Sequence, residues 1–334
     1  MRICLGLAAL ALLLAPAGCG GDGEGDDRVT GFERALAELG EGVSGTGSGF
    51  GWADLEQLDE EPGGTRWAAD ALGPGADDLI DDQGAIFRGT GFAPSAASGA
   101  VAVAGSYALG VRFDGADAGG LRRLLPAAGA RSRRIGEWTL YDLGRPAYGE
   151  TSGPLAPLGA LVSRIAIGPA GVVLSRFGPA RSSLIGEKGG PLELGEAQTL
   201  GADCLGEVTA ARLIKGFHTH NPAASPAMIA IGVRRDGDSW REVLCTVDDS
   251  PDAGEERAAA IERTLAPAAT DEITGDPISG TLAEVSVSRE STDEWEVSRA
   301  ELELAPGVDP GFLFGAFTRG SLLTYLGAAR PIPR

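Results

Sequence analysis

Residues 228–247 read MIAIGVRRDGDSWREVLCTV and carry the strongest local hairpin signal in the chain. Two apolar segments, 228–234 and 240–247, lie on either side of Asp236-Gly237. Asp-Gly between strand-forming segments predicts a tight β-hairpin, because glycine accepts the positive φ that such turns require. The stretch therefore predicts an antiparallel pair of strands, which is the start of an antiparallel sheet.

Further hairpins are predicted on both sides of this stretch. Residues 168–171, GPAG, separate two short apolar segments, and residues 282–288 and 294–304 form another strand pair. In the second strand of that pair the apolar residues change phase partway along. Because a single buried face requires regular alternation, we predict a β-bulge near Ser298-Arg299.

Helices alternate with these strands. Thr30 and Glu33 form a predicted capping box, and the apolar residues that follow them share one helical face. Ser250, followed by proline, predicts another helix start, and strand–helix–strand units recur over residues 100–143 and 240–288. This order predicts an α+β fold with mostly antiparallel sheets, hairpins and β-α-β units. Ferredoxin-like halves are one arrangement that fits it.

The chain is long enough for two ordinary domains or one large one. It has 334 residues, of which 43% are hydrophobic, so it can bury a substantial core. Residues 216–226, GFHTHNPAASP, are predicted as a linker. We therefore predict two α+β domains, over 29–215 and 216–330.

The chain is strongly acidic. Its formal net charge is −19 at pH 7. Such a charge repels the phosphate backbone of nucleic acids and the head groups of anionic lipids. Nucleic acid is therefore excluded as an expected partner, and no basic cluster offers a second, electrostatic membrane anchor.

The N-terminal segment MRICLGLAALALLLAPAGC, residues 1–19, predicts export. Arg2 gives a basic start, and residues 3–15 are almost wholly apolar. That run is shorter than the roughly 20 residues that a membrane-spanning helix needs. A basic start, a short apolar run and small residues at its end are typical of a secretory signal peptide, which we predict over 1–18.

Residues 16–19, PAGC, resemble the lipobox of bacterial lipoproteins, although that family favours Leu, Val or Ile where Pro16 stands. The resemblance implies cleavage before Cys19 and a diacylglycerol, with fatty acids such as palmitate, on its thiol. Residues 19–28 would then be a flexible linker on the outer face of the cell membrane. The alternative is ordinary cleavage at the A-x-A site over 15–17, which would leave an unpaired exported thiol.

Three longer stretches of the sequence also resemble bacterial lipoproteins. The phrases GFGWADLEQL (49–58), VRFDGADAGGLRRLLPAAG (111–129) and IGPAGVVLSRFGPARSSLIG (167–186) are similar to segments of uncharacterised lipoproteins of GC-rich Gram-positive bacteria. None of these phrases is a specific motif. The resemblance implies a cell-envelope location and no known activity.

Two further cysteines predict a disulfide. If Cys19 carries lipid, Cys204 and Cys245 remain as an even pair in an oxidising compartment. Cys204 should lie at the end of a helix, and Cys245 inside the second strand of the Asp-Gly hairpin. A bond between them would join the helix to the sheet. Two buried free thiols are the alternative.

No catalytic or metal-binding motif is found. The sequence lacks a nucleophile elbow, a P-loop, an H-E-x-x-H motif and a C-x-x-C motif. His218 and His220 would lie on one side of an extended chain, as a metal site requires, but no third ligand can be named. The acidic cluster at 77–82 does not match a calcium loop. We therefore expect exposed loop histidines, a solvated acidic turn, and neither metal nor cofactor.

These observations favour a non-enzymatic binding or assembly module in the extracytoplasmic part of the cell envelope. Its membrane contact is the lipid on Cys19, and its partner is either a protein or a small molecule. The alternative is an extracytoplasmic hydrolase that uses carboxylates, since acidic residues are plentiful and paired carboxylates can cleave glycosides. A pocket with converging carboxylates of shifted pKa favours the hydrolase, and a pocket without them favours the binder.

Overall fold

The computed structural model describes residues 30–40, 49–61, 63–73, 76–104, 109–144, 153–158, 162–176, 178–186, 194–215, 225–237, 239–271 and 275–327. The strands in these ranges are β1 (Gly49–Asp54), β2 (Gly99–Ala104), β3 (Leu109–Asp114), β4 (Arg131–Ile135), β5 (Trp138–Asp142), β6 (Arg164–Ile167), β7 (Gly171–Ser175), β8 (Ala210–Lys215), β9 (Met228–Asp236), β10 (Ser239–Asp248), β11 (Leu282–Ser291) and β12 (Glu296–Leu304). The α-helices are α1 (Gly31–Ala37), α2 (Leu55–Asp59), α3 (Gly64–Leu72), α4 (Ala76–Asp81), α5 (Gln83–Thr90), α6 (Gly119–Ala127), α7 (Gly178–Leu184), α8 (Glu196–Leu205), α9 (Pro251–Leu265), α10 (Phe312–Thr318) and α11 (Leu322–Tyr325). No helix in the described ranges combines the length and apolarity that a bilayer crossing needs.

The described strands form one antiparallel sheet in the order β11-β12-β10-β9-β8-β1-β2-β3-β7-β6-β5-β4. The α+β class and the antiparallel pairing are thereby confirmed. The predicted hairpin is formed by β9 and β10, which pair from Met228–Val247 to Asp236–Ser239. Gly237 in its turn has φ +62°, the positive value that favours glycine there.

The sheet consists of two similar halves. In the first, β1 to β3 form a meander, α6 crosses over, and β4 to β7 return so that β7 pairs with β3. In the second, β8 to β10 form a meander, α9 crosses over, and β11 and β12 return so that β12 pairs with β10. The halves meet where β1 and β8 pair antiparallel, so the equivalent first strands of the two meanders form the seam. The domain division between 215 and 216, which falls between the paired strands β8 and β9, stays a prediction.

Helices cover both faces of the sheet. One face, here called face A, is covered by α1, α7 and α8, and the opposite face B is covered by the other helices. The predicted capping box begins α1: the Thr30 N–H donates to Glu33 at 2.7 Å, and the Glu33 N–H donates to the Thr30 hydroxyl at 3.1 Å. The apolar face of α1 is therefore presented to face A, where Phe32 and Leu36 are buried.

The prediction of a β-bulge near 298–299 is wrong. β12 pairs in unbroken register with β10 and β11 there, and the register shift lies in β11 between Leu282 and Glu284. The apolar residues of β12 change phase because both of its faces are covered. Val297 is buried in the core of face A, whereas Ala300 is buried in the core of face B.

Glu242 on β10 binds α10 to face B. Its carboxylate is fully buried and accepts the backbone N–H groups of Gly311 at 2.5 Å, Phe312 at 2.7 Å and Leu313 at 2.7 Å. The first N–H groups of a helix have no acceptor within the helix, so this side chain satisfies them. Burial raises the pKa of Glu242, and the three hydrogen bonds oppose that rise.

A second buried carboxylate on the same strand, together with its arginine partner, attaches two further helices. Asp248 at the end of β10 pairs with Arg257 of α9, with 3.1 Å between Oδ1 and Nη2. Arg257 also donates to the carbonyl of Leu326, which follows α11. Burial raises the pKa of Asp248 above its ordinary value, and the charge of Arg257 offsets only part of that rise. Helices α9, α10 and α11 on face B are therefore attached through Glu242 and Asp248 of β10.

Candidate anion-binding pocket

A cavity of about 320 Å³ lies at the β4 end of the sheet. Its volume is at the lower end of the range for small-molecule sites, roughly 300–1,000 Å³. Helix α7 packs on β2, β3, β7 and β6, so it forms the wall on the side of the sheet centre. The described residues that line the cavity are Arg131, Ser132, Arg133, Leu140, Tyr141, Asp142, Arg164, Gly178 and Arg181.

Strand register brings five of these residues to face A. Arg131 pairs with Asp142 and Arg133 pairs with Leu140 across β4 and β5, and Asp142 pairs with Arg164 across β5 and β6. Side chains alternate between the two faces of a strand, so paired residues point to the same side. Leu140 belongs to the core of face A, which places the other four on that face.

The lining is strongly basic. It contains four arginines, at 131, 133, 164 and 181, and Asp142 is the one acid among its described residues. Asp142 lies 3.8 Å from Arg164 and also accepts the backbone N–H of Gly144 at 2.8 Å. The guanidinium group presents its donors as a fork that matches the oxygens of phosphate and carboxylate groups. The arrangement is therefore chemically suited to an anion.

At the opposite end of face A, here called the neutralised end, arginines lie beside several acidic side chains. It also carries three arginines, in the pairs Arg234–Glu301 at 2.8 Å, Arg241–Asp236 at 2.8 Å and Arg299–Glu301 at 2.8 Å. Burial acts to raise the pKa of Glu301, but the hydrogen bond from Arg299 and the neighbouring arginine charges outweigh it and lower that pKa. Among the described residues, the two ends of face A thus carry similar numbers of arginines but different numbers of acids.

The residues singled out from the sequence do not lie in this pocket. Cys204 at the end of α8 and Cys245 on β10 form a disulfide, with 6.2 Å between their Cα atoms, as predicted. The predictions for residues 1–28, which include Cys19, and for His218 and His220 concern residues outside the described ranges. The acidic cluster at 77–82 lies on α4 and just after it, and no group of three possible metal ligands occurs within the described ranges.

Sequence reasoning missed the arginine pocket. One signal was present, because RSRR at 131–134 places arginines at alternate positions of a strand. Arg164 and Arg181 join them only through strand pairing and the position of α7. Comparisons with protein-family models, with curated proteins and with solved structures gave no match for this chain. The function proposed below is therefore supported by the chain's own residues.

Proposed function

We propose that this protein is an exported, lipid-anchored binding module of the bacterial cell envelope, and that it takes a small phosphate-class anion in the arginine pocket. The observation that carries the ligand class is that the described residues of the lining include four arginines and one acid. The export and the anchor are supported by residues 1–19, as argued above. A dianionic phosphate group suits this excess of positive charge better than a single carboxylate does.

The charge of the remaining chain limits the size of the ligand. The net charge is −19, so the surface outside the pocket repels anions. At physiological ionic strength this repulsion is screened over about 8 Å, a distance on the scale of the pocket itself. A small anion within the pocket experiences mainly the arginines, whereas a long polyanion would also meet the acidic surroundings. The site is therefore suited to a small ligand and unsuited to nucleic acid.

A carboxylate hydrolase is the second candidate, and the described carboxyl groups favour it less. Burial raises the pKa of Asp114, Glu242 and Asp248. Asp114 pairs with Arg112 at 2.7 Å, Asp248 pairs with Arg257, and Glu242 begins a helix. These groups lie apart from one another, and none of the three lines the arginine pocket. Glu242 and Asp248 thus attach helices, and Asp114 is held by Arg112. Burial and the neighbouring Glu33 carboxyl group also raise the pKa of Asp203, but this pair on α8 and α1 does not line the pocket either.

We expect the variant Arg131→Gln with Arg133→Gln to bind inorganic phosphate about 10- to 100-fold more weakly than the wild type. Each hydrogen bond to a charged group contributes roughly 1.5 kcal/mol or more, and the variant loses two charged donors. Both side chains are exposed on the edge strand β4, so their replacement leaves the core unchanged. Isothermal titration with phosphate measures the effect.

The matched control is Arg241→Gln with Arg299→Gln at the neutralised end of face A. It also removes two positive charges, here from ion pairs with Asp236 and Glu301. Phosphate affinity should therefore change less than about twofold, through loss of long-range charge alone. An equal loss of phosphate affinity in both variants would mean that phosphate responds only to the net charge of the protein and does not bind in the pocket. Absence of phosphate binding by the wild type would contradict the proposed ligand class.

The proposed lipid anchor on Cys19 can be tested separately from phosphate binding. We expect Cys19→Ala to release the protein from the membrane fraction or to leave it unprocessed, because the lipid-carrying thiol is gone. Mass spectrometry of the mature wild-type N-terminus measures the modification directly. A wild-type chain that starts at Gly18 with an unmodified Cys19 would contradict the lipoprotein proposal. Cys204→Ala with Cys245→Ala is the control, and this variant should remain in the membrane fraction.

A further inference from the structure

An apolar shelf continues face A beside the arginine pocket. Ile135 of β4 and Trp138 of β5 pair across the hairpin that joins these strands. Both are partly buried against the core of face A, so part of each side chain remains accessible. The Trp138 indole lies over Gly168, because a Cβ atom built on that glycine would be 2.5 Å from the ring. The ring therefore has a defined position.

The shelf and the arginines share strands, which sets their spacing. Leu140 lines the pocket, pairs with Arg133 and precedes Asp142 by two residues. Trp138 precedes Leu140 by two residues on the same face, which corresponds to about 7 Å along a strand. The surface therefore changes from cationic to aromatic within a distance that one small molecule can span.

We propose that the ligand of the arginine pocket is an organic phosphate monoester, whose phosphate group binds the arginines and whose apolar or aromatic group lies on Trp138 and Ile135. The inference rests on the proposed function, because it assigns the anionic group to the same pocket. An ester leaves one side of the phosphate covalently attached to an organic group, and the apolar shelf lies on one side of the arginines. An inorganic phosphate would leave the shelf exposed to water, and a neutral apolar molecule would make no use of the guanidinium donors.

The test compares phenyl phosphate, methyl phosphate and inorganic phosphate on the wild-type protein by isothermal titration. Phenyl and methyl phosphate carry the same functional group and differ in the apolar group. We expect phenyl phosphate to bind about fivefold more tightly than methyl phosphate, since an aromatic contact of this kind contributes about 1 kcal/mol. The variant Trp138→Ala should lose this preference and retain the affinity for inorganic phosphate within about twofold.

Two further variants keep the result interpretable. Trp138→Phe retains an aromatic ring and should retain most of the preference, even if Trp138→Ala folds poorly. Trp295→Ala is the matched control, because Trp295 is also partly buried on face A but precedes β12 at the other end of the sheet. The Trp295→Ala variant should prefer phenyl phosphate over methyl phosphate as strongly as the wild type does.

The outcomes separate the two proposals. Equal affinities for phenyl, methyl and inorganic phosphate would overturn the monoester inference and leave the anion pocket intact. Absence of binding by all three would overturn the proposed function itself. A preference for phenyl phosphate that persists in Trp138→Ala, with inorganic phosphate still bound, would overturn the assignment of the shelf to Trp138.

Discussion

Replacement of Cys204 and Cys245 by alanine is expected to lower the free energy of unfolding by about 3–4 kcal/mol. The disulfide joins residues that are 41 positions apart, and loop closure of this length accounts for that value in the chain-entropy model. Cys245 is fully buried in the core of face A, so alanine keeps the site apolar. Urea denaturation with and without reductant measures the change.

Single variants make this prediction sharper. Cys204→Ala and Cys245→Ala each break the same bond, so each should lose nearly as much stability as the double variant, and the single losses should not add. Reductant should destabilise the wild type and leave the double variant unchanged. Two reactive thiols per mature chain in denatured, unreduced protein, or additive effects of the single variants, would show that the bond is absent in solution.

Replacement of Glu242 by alanine is expected to lower the free energy of unfolding by about 3–5 kcal/mol. The change leaves the buried N–H groups of Gly311, Phe312 and Leu313 without their acceptor, and each unsatisfied buried donor costs roughly 1–3 kcal/mol before relaxation. It also empties the space between β10 and the start of α10. Urea denaturation measures the loss, and amide hydrogen exchange should be fastest in α10.

Conservative and surface variants provide the controls for Glu242. Glu242→Gln keeps one oxygen for Gly311 and Phe312 but places an amide NH₂ toward Leu313, so its loss should be intermediate. Glu303→Ala removes a partly exposed carboxylate from β12 and should change stability by about 0.5 kcal/mol or less. If Glu242→Ala matched Glu303→Ala, the proposed attachment of α10 would be wrong.

The pH dependence of Glu242 has a defined sign. Burial raises its pKa in the folded state, so the folded chain binds this proton more readily than the unfolded chain does. Its contribution to stability is therefore complete below the unfolded value of about 4.3 and declines as the pH rises toward the folded value. The stability of the wild type relative to Glu242→Gln should accordingly fall as the pH is raised from 4. A rise in this difference would contradict the direction of the shift.

The parts of the fold that could be predicted depend on short-range chemistry. Asp236-Gly237 predicts a turn because only a few residues accept its backbone angles, and Thr30 with Glu33 predicts a helix start because both hydrogen bonds are local. The pairing of Cys204 with Cys245 followed from the cysteine count and the predicted oxidising compartment. Each of these predictions is confirmed.

The order of the strands and the candidate site required information that lies far apart in the sequence. β7 returns beside β3 after more than 50 intervening residues, and nothing local in either strand specifies that partner. Glu242 stands in an apolar strand, which marks it as unusual, but its acceptor role depends on a helix 69 residues away. The arginine pocket combines three strands and α7, so it exists only once their register is known.

The seam between β1 and β8 has a consequence for how such a chain assembles. Two equivalent edge strands that meet antiparallel about a twofold axis form the contact used by identical subunits in a symmetric dimer. Here that contact is intramolecular, so the second strand is always present at a high effective concentration. A first half on its own would expose the edge of β1, with Phe50 and Trp52, and open edges of this kind promote association between chains. Joining the halves leaves β4 and β11 as the outer edges, and their exposed arginines and glutamates disfavour the addition of another strand.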